Sequence, residues 1–289
     1  MHVDAFSVPV ETRAPDGTTN AYVVGSSDCL LVDPAARTST LDTVVAARDV
    51  AAVAVTHTHP DHVGAVAAYA EETGAEVLAR RPERFEAATG VEPDRQIRES
   101  SVIETGVGPV TVLDTPGHAS DHVAFELPAV EERSTVICGD LAVAEGSVVV
   151  GAPEGDLRAY LTALRRLWAR NPRRLYPGHG PIIGEGRPVA DGPVPAESRH
   201  ANTRRDATGE PRAVLERLVS HRLDREAGVL AAVRAGASDL DSVVDAAYEK
   251  ELSGVRDLAR ATVRAHVEKL AVEGELRFDA ETGAVRAND

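Results

Sequence analysis

A cluster of metal-ligand side chains follows an apolar segment in the first quarter of the chain. The run Val50 to Val55 predicts a strand buried on both faces, and His57, His59, Asp61 and His62 come directly after it. Extended backbone would point His57 and His59 the same way, and a helix starting near Asp61 would aim the other two at a neighbouring point. Packing explains three histidines in six residues poorly, because each buried ring needs a partner. Imidazole and carboxylate are ligands that zinc, iron and manganese accept, so the segment predicts two metal positions.

Three later motifs each place one ligand-type residue after a short apolar strand. His118 ends the motif L-D-T-P-G-H, Asp140 ends V-I-C-G-D, and His179 lies in L-Y-P-G-H-G. Active sites of layered α/β proteins lie at the carboxyl ends of strands. We therefore expect these residues to lie beside the first cluster.

Alternating strand-like and helix-like segments are predicted to position these motifs within residues 1–190. The predicted strands are 21–24, 29–32, 50–55, 75–79, 101–104, 110–114, 123–127 and 135–138. The predicted helices are 41–48, 63–73 and 156–169, with Asp156 as the N-cap of the last.

The pattern changes after a segment rich in Gly, Pro and charge, and we predict a linker or surface segment at 191–210. Residues 211–289 then predict helices at 211–235, 240–248 and 255–273 and a hairpin at 275–286, which together indicate a small winged-helix-like domain. The third helix mixes Arg256, Arg260, Arg264 and Lys269 with acidic residues. We therefore expect this domain to wall the active-site cleft or to form a homodimer contact rather than to read bases.

The ordered motifs T-H-x-H-x-D-H, T-P-G-H, G-D and P-G-H-G resemble those of the metallo-β-lactamase superfamily, nearest the branch with glyoxalase II and the ribonucleases. The likeness covers roughly residues 5–185 and implies an α/β fold, a four-layer αββα sandwich. It implies two divalent metals per chain, with zinc as the expected metal. The implied ligands are His57, His59 and His118 for one ion, Asp61, His62 and His179 for the other, and Asp140 as the bridge.

A closer likeness is to the β-lactamase-like protein 2 group, animal members of which are described as endoribonucleases acting on single-stranded RNA. It rests on T-P-G-H-A-S-D-H ending at His122, on Y-P-G-H-G-P ending at Pro181, and on His221-Arg222 with Arg225-Glu226 at the start of the C-terminal domain.

The expected chemistry is hydrolysis by a metal-bridging hydroxide, with both metals polarising the scissile group. As catalytic residues we predict Asp61, as a proton acceptor, and His122, which would donate to substrate or order a ligand. Asp33 is a candidate for orienting a ligating imidazole, and Asn20 and Tyr176 are candidates for lining the pocket. His2, His200 and His266 are interpreted as ordinary surface or helix residues.

Several functions remain open from the sequence. The substrate is either a phosphodiester in single-stranded RNA or a small ester or thioester. A glyoxalase II-type thioesterase needs basic side chains near the metals, which the C-terminal extension does not obviously supply. A persulfide dioxygenase-type oxidoreductase with one iron would use the same scaffold, and a DNA-binding regulator is disfavoured by seven intact ligands.

Composition bears on location and partners. The net charge is −15, from 46 acidic and 31 basic residues, and only Lys250 and Lys269 are lysines. This indicates adaptation to high intracellular salt or a codon bias, and it argues against nucleic-acid partners unless salt screens the charge. No signal peptide or membrane-length apolar run is visible, so we expect a cytoplasmic protein without membrane contact. Cys29 and Cys138 are expected to be buried free thiols.

Overall fold

Two six-stranded sheets pack face to face in the computed structural model, which describes residues 2–130, 132–184, 209–248, 252 and 254–288. The first sheet has the order β1-β2-β3-β4-β5-β6 and the second β12-β11-β10-β9-β8-β7. The strands of the first sheet are β1 Val3–Pro9, β2 Thr18–Val24, β3 Cys29–Val32, β4 Val50–Ala54, β5 Glu76–Ala79 and β6 Arg95–Gln96. Those of the second are β7 Val102–Ile103, β8 Val110–Asp114, β9 Val123–Val130, β10 Arg133–Gly139, β11 Arg174–Pro177 and β12 Ile183–Gly184.

Helices cover the outer face of each sheet. The first sheet carries α1 Ser39–Ala46, α2 Pro60–Val63, α3 Val66–Thr73 and α4 Pro82–Thr89, and the second carries α5 Leu157–Arg170 and α6 Pro211–Arg234. One buried cluster lies between the sheets, and one lies under each helical layer. The fold is therefore the αββα sandwich that the sequence resemblance implied.

The carboxyl ends of three parallel-paired strands meet at one edge of this sandwich. Strand β4 lies parallel to both β3 and β5, and β10 lies parallel to β11. The chain segments that follow β4, β10 and β11 carry His57 to His62, Asp140 and His179. The parallel register is what brings ligands that are far apart in sequence to the same edge.

The predicted helix at 63–73 is wrong in its bounds, because the structure has two helices separated at Gly64 and Ala65. The amide of Ala65 donates to Pro34 O at 2.8 Å, and a Cβ on Gly64 would lie 2.4 Å from Ala35 O. The segment after β3 therefore contacts the backbone at this point and interrupts the helix. The separate short helix α2 carries Asp61 and His62.

Residues 211–289 form the C-terminal module, which begins with α6. It continues with α7 Leu240–Ala247, α8 Arg256–Val272 and the antiparallel pair β13 Leu276–Phe278 and β14 Val285–Ala287. These bounds agree with the three predicted helices and the hairpin to within about two residues, while the winged-helix assignment stays a prediction. Most of the predicted 191–210 segment lies outside the described residues.

The C-terminal module packs directly on the second sheet layer. Leu215 and Leu218 of α6 and Ala265 of α8 belong to the same buried cluster as α5. Its own core lies between α6, α7, α8 and the hairpin. No described helix is long and apolar enough to cross a membrane.

Candidate metal centre

Seven side chains converge at the strand edge. Three groups have ligand atoms within 4.8 Å of one another: His57, His59 and His118; His57, His62 and Asp140; and Asp61, His62 and His179. We call the first of these the first ligand group and the last the second ligand group. The structure thus brings together all seven residues predicted as ligands.

Three imidazole nitrogens of the first ligand group face one point. Nε2 of His57 and Nε2 of His118 each lie 2.9 Å from Nδ1 of His59. The opposite ring nitrogens all have partners: His118 Nδ1 donates to Val149 O at 2.7 Å, and His59 Nε2 lies 3.3 Å from Glu154 Oε2. Each inward nitrogen of these two rings therefore carries a lone pair.

The outward nitrogen of the third ring, Nδ1 of His57, also has a partner, which is the hydroxyl group of Thr56. Thr56 Oγ1 donates to Asp33 Oδ2 at 2.8 Å, so its proton is used and His57 Nδ1, at 3.0 Å, must donate to it. Three lone pairs then face one another, an arrangement that repels unless a cation lies between them. The described residues of the first ligand group therefore fit a metal ion.

Asp140 lies between the two groups. Its Oδ2 is 3.4 Å from His118 Nε2 and 3.5 Å from His179 Nε2. Its Oδ1 and His62 Nε2, both buried, lack a hydrogen-bond partner within the described chain. Buried polar atoms without partners are rare, and a bound ion would satisfy these two.

The second ligand group is held from behind by hydrogen bonds. His62 Nδ1 lies 3.0 Å from Asp33 Oδ2, His179 Nδ1 donates to Thr18 O at 2.8 Å, and Thr12 Oγ1 donates to Asp61 Oδ2 at 2.5 Å. Such partners fix the tautomer and ring orientation of a ligating histidine. The prediction that Asp33 orients an imidazole agrees with this contact.

Burial and charge act differently on the two groups. Burial, with the neighbouring histidines, lowers the pKa of His57 well below its usual value, and burial lowers the pKa of His59 and His118. Burial also lowers the pKa of His179 and His62, but Asp140 outweighs it at His179, raising the pKa to about 9, and Asp33 outweighs it at His62. The first group thus presents neutral lone pairs, and the second has an anionic surrounding that favours a cation.

His122 lies behind the ligands rather than in the cleft. Its side chain is 1% exposed, its Nδ1 is 2.8 Å from Thr115 Oγ1, and its ring centroid is 5.2 Å from that of His57. Burial, then the neighbouring His118, lowers its pKa to about 3. This position favours a role in ordering His57 over direct donation to substrate.

Asn20 and Tyr176, the predicted candidates for lining the pocket, are both buried, and their lining role stays a prediction. The Asn20 amide donates to Pro177 O at 2.8 Å and to Gly180 O at 3.0 Å, which holds the turn that carries His179. Tyr176 packs edge-on against Tyr22 between the sheets.

The three histidines set aside as ordinary have different environments. His266 is a helix residue, fully buried in α8, and His2 is partly buried beside Asp4. His200 lies outside the described residues. The thiols of Cys29 and Cys138 are free and buried, as expected.

Sequence reasoning missed the acidic and basic side chains at the mouth of the centre. Glu154 contacts both His59 and Arg84, and Arg84 also donates to Thr58 Oγ1 at 2.8 Å. Both Glu154 and Arg84 come from segments without a ligand motif, so only the three-dimensional fold could reveal them.

Residues 14–179 match the sequence profile described as the metallo-beta-lactamase superfamily. Curated relatives include a "Beta-lactamase-like protein 2 homolog" of Caenorhabditis elegans, 30% identical over 57% of this chain and 57% of that protein. An "Atrochrysone carboxyl ACP thioesterase" of Aspergillus chevalieri is 32% identical over 57% of this chain and 52% of its own length. A "Hydroxyacylglutathione hydrolase" of Erythrobacter litoralis (strain HTCC2594) is 33% identical over 43% and 46%. The matched part of the chain thus spans about half the length of these relatives.

Two solved structures resemble the whole chain or a part of it. The metallo-beta-lactamase family protein TTHA1429 from Thermus thermophilus superimposes with a TM-score of 0.71 at 24% identity, over 99% of this chain and 98% of that one. TTHA1623, solved in a di-iron-bound form, gives a TM-score of 0.50 at 29% identity, over 62% of this chain and 94% of that one. The first likeness extends through the C-terminal module and concerns the fold alone.

Proposed function

Since this chain belongs to the metallo-β-lactamase superfamily, we propose that it is a binuclear metal-dependent hydrolase that cleaves thioesters of small or carrier-bound acyl groups. The observation that carries the proposal is the convergence of three lone pairs in the first ligand group, with Asp140 between it and the second. A site built only for structure would not need two adjacent ion positions open to a cleft.

The two proposed ions would be held by the first and second ligand groups, with the Asp140 carboxylate available to both. When bound, divalent ions supply Lewis acidity toward a carbonyl oxygen and lower the pKa of water. Asp61 would accept a proton on its carboxylate, and the Thr12 hydroxyl already holds one oxygen of that group in place. His57, His118 and His179 are fixed from behind, so they need little rearrangement to act.

No described cysteine competes as a nucleophile. Cys138 is fully buried and burial raises the pKa of its thiol, and the same holds for Cys29. A thiol must be exposed and ionised to attack an acyl group. The chemistry therefore belongs to the metal centre.

A thioester substrate fits the charge distribution better than RNA does. Three arginines of α8 are neutralised within the module: Arg256 pairs with Asp245, Arg260 with Asp241, and Arg264 with Glu268. RNA binding depends on cations free to contact phosphates. Two of the relatives are also named as a thioesterase and as a hydroxyacylglutathione hydrolase.

Cleavage of single-stranded RNA is the second candidate. It is favoured by the T-P-G-H-A-S-D-H motif and by the likeness to the β-lactamase-like protein 2 homologue. A binuclear centre also suits phosphodiester hydrolysis, because two ions can stabilise the attacking and leaving oxygens.

One experiment separates these functions. Purified protein would be analysed for zinc, iron and manganese, then assayed on an acyl-glutathione thioester and on a single-stranded RNA, in low and molar salt. Asp140→Ala tests the centre, and Asp49→Ala, an exposed aspartate before β4, is the matched control. We expect about two metal ions per chain and thioester hydrolysis that only Asp140→Ala abolishes. RNA cleavage alone would favour the second candidate, and one iron with neither activity would contradict both and favour the dioxygenase.

A further inference from the structure

Residues 143–154 lie between β10 and α5, and we call them the β10–α5 segment. The segment contacts two rings of the first ligand group. The Val149 carbonyl accepts the Nδ1 proton of His118 at 2.7 Å, and Glu154 Oε2 lies 3.3 Å from His59 Nε2. Both contacts are made to the ring nitrogen that faces away from the ion position. The segment therefore fixes the direction in which the inward nitrogen of each ring points.

The C-terminal module holds this segment through two arginines of α6. The guanidinium of Arg217 donates to three carbonyls at its start, those of Gly146 at 2.7 Å, Ala144 at 3.0 Å and Val143 at 3.1 Å. The rigid fork of N–H groups in a guanidinium suits it to hold several acceptors at once. Arg222, further along the helix, donates to the next part of the segment.

Two consecutive carbonyls connect Arg222 to the metal centre. Arg222 is 4% exposed and lies over the Tyr160 ring, 5.7 Å from its centroid, and it donates to the carbonyl of Val148. The next carbonyl, that of Val149, is the one that accepts from His118. Peptide units are planar and adjacent ones share a single Cα, so a displacement of the first carbonyl moves the second. The position of the buried arginine therefore influences the position of the ligating ring.

Helix α8 packs against the same segment at very short range. The amide of Ala152 donates to the carbonyl of Ala261 at 3.0 Å, and a Cβ on Gly151 would lie 2.9 Å from the Cβ of Ala261. That distance is too short for two carbon atoms that are not bonded, so a side chain at residue 151 would push the segment away from α8. The missing side chain of Gly151 is what allows this close approach.

The second ligand group is held by other parts of the chain. Its outward contacts come from Asp33, Thr18 and Thr12, which belong to the first sheet and its loops. The C-terminal module approaches this group through Arg13, beside Thr12, which pairs with Asp257 at 3.2 Å. Both side chains of that pair are about two-thirds exposed, so the pair should restrain the group little. The module therefore supports mainly the first ligand group.

We propose that the C-terminal module positions the first ligand group for metal binding, with Arg222 and the close contact of Gly151 with α8 holding the β10–α5 segment against His118. Both are positioning residues, because they act through the backbone of that segment. The proposal rests on the binuclear centre of the proposed function. It gives the module a part in assembling that centre, beyond forming a wall of the cleft.

Two independent changes test the proposal. Arg222→Gln removes the guanidinium group, and Gly151→Ala pushes the segment away from α8. The second change has a rescue, because Ala261→Gly removes the opposing Cβ, and the double variant Gly151→Ala/Ala261→Gly should behave as the wild type. The controls are Ala261→Gly alone and Arg234→Gln, near the end of α6. Thermal unfolding identifies any variant that has lost its fold, and the Gly151 series decides alone if Arg222→Gln does not fold.

Metal affinity is measured by titrating zinc into metal-free protein in competition with a chelator. We expect the wild type and both controls to bind about two ions. Arg222→Gln and Gly151→Ala should bind one ion about 10- to 100-fold more weakly while the other keeps its affinity, and the double variant should recover the loss. Equal weakening of both ions would indicate general destabilisation, and wild-type affinities in both variants would exclude the positioning role.

The imidazole signals of the metal-free protein report the same effect without a metal. In long-range proton–nitrogen NMR spectra of the wild type, His118 should show one tautomer, with its proton on Nδ1. In Arg222→Gln and Gly151→Ala it should show a mixture of tautomers, while His179, held by the carbonyl of Thr18, keeps its wild-type signals. An unchanged His118 tautomer in both variants would overturn the proposal.

Thioester assays on the same proteins separate this proposal from the proposed function. If the wild type hydrolyses no thioester but the two variants show the His118 change and the double variant reverses it, the positioning role stands and the thioesterase proposal fails. If the wild type hydrolyses thioesters and both variants match it in metal affinity and in the His118 tautomer, the positioning role is wrong and the function stands.

Discussion

Asp33 contacts His62 of the second ligand group directly and His57 of the first through Thr56, although it is not one of the seven ligands. Its Oδ1 accepts from the Thr56 amide at 2.6 Å, and its Oδ2 accepts from Thr56 Oγ1 and lies 3.0 Å from His62 Nδ1. Through Thr56 it also fixes the proton of His57. A single fully buried carboxylate thus sets the tautomers of one histidine in each group.

Asp33→Asn should weaken metal binding about 10- to 100-fold while the fold persists. Residue 33 has a φ of +51°, which asparagine tolerates. The side-chain amide of asparagine, however, would direct an N–H group toward Thr56 or His62, which are donors themselves. Metal affinity would be measured by competition with a chelator. The control is Asp42→Asn. Asp42 lies on α1, outside the ligand motifs, and its carboxylate accepts from the Tyr69 hydroxyl. This variant should bind metal as the wild type does. Equal affinities in the two variants would contradict this role.

Gly178→Ala should remove the metal, because the added methyl group displaces two of its ligands. A Cβ at this position would lie 2.3 Å from Asp140 Oδ1 and 2.8 Å from His62 Cε1, inside the centre. Gly180→Ala is the matched control, because its Cβ would meet nothing within 4 Å. Its φ of +75° predicts strain of about 1 kcal/mol, so it should lower the melting temperature yet keep its metal. Elemental analysis and thermal unfolding measure both properties.

At the scale of elements, strands and helices with a clear apolar period could be predicted, and those without one could not. Helix α5 begins after Asp156, whose side chain caps it as predicted. Strand β1 and helix α4 were missed, since β1 depends on pairing with β2 and α4 buries only Phe85 fully. The separation of α2 from α3 depends on a contact with Pro34, which no local pattern reveals.

The candidate ligands could be predicted more fully than their surroundings, because each follows a strand in a recognisable motif. Glu154 and Arg84 lack such a motif, and they meet only because α4 and the segment before α5 lie at the same edge. Sequence therefore indicates the chemistry of the centre, and tertiary packing decides what surrounds it.

The ion pair between α6 and α8 gives a prediction for stability against pH. Lys269, 9% exposed, lies 2.8 Å from Glu226 and 2.7 Å from Glu273. Burial raises the pKa of Glu226, but His266 and Lys269 outweigh it and lower the pKa. Burial lowers the pKa of Lys269, but Glu226 and Glu273 raise it. The pair's stabilisation is therefore present between about pH 5 and pH 10, and is lost as either folded-state pKa is passed.

Lys269→Met should lower the free energy of unfolding by about 2 kcal/mol at neutral pH, because it leaves the Glu226 carboxylate without its cation. The deficit should shrink at acid pH, where Glu226 becomes protonated; in the wild type this happens below the usual glutamate range, because its folded-state pKa is lowered. Denaturant unfolding at both pH values measures it. Arg264→Met removes the same charge from a more exposed pair, with Glu268, and should cost less than about 0.5 kcal/mol. A pH-independent deficit would show that the loss is one of packing.

At the scale of the whole molecule, the net charge of −15 should make stability depend on salt. Screening is largely complete by about 0.5 M salt, since the Debye length is then only a few ångströms. We expect thermal stability to rise steeply up to that concentration. If the melting temperature rises further in molar sodium chloride, but not in sucrose of equal osmolality, the result would support salt adaptation. If it reaches a plateau, the acidic composition would be explained by codon bias, and the salt effect by screening of charge repulsion.

The ligand spacing also makes the metal centre a cross-link. An ion in the first group would tie His57 to His118, and one in the second would tie Asp61 to His179, so two long loops of chain would be closed at one point. Closing long loops removes conformational freedom from the unfolded chain, as a disulfide does. Because His179 is the last of the seven ligands in the chain, the second loop closes only after strands β1 to β11 have been synthesised. A nascent or truncated chain that stops short of His179 would therefore hold its metal weakly and remain open to proteolysis.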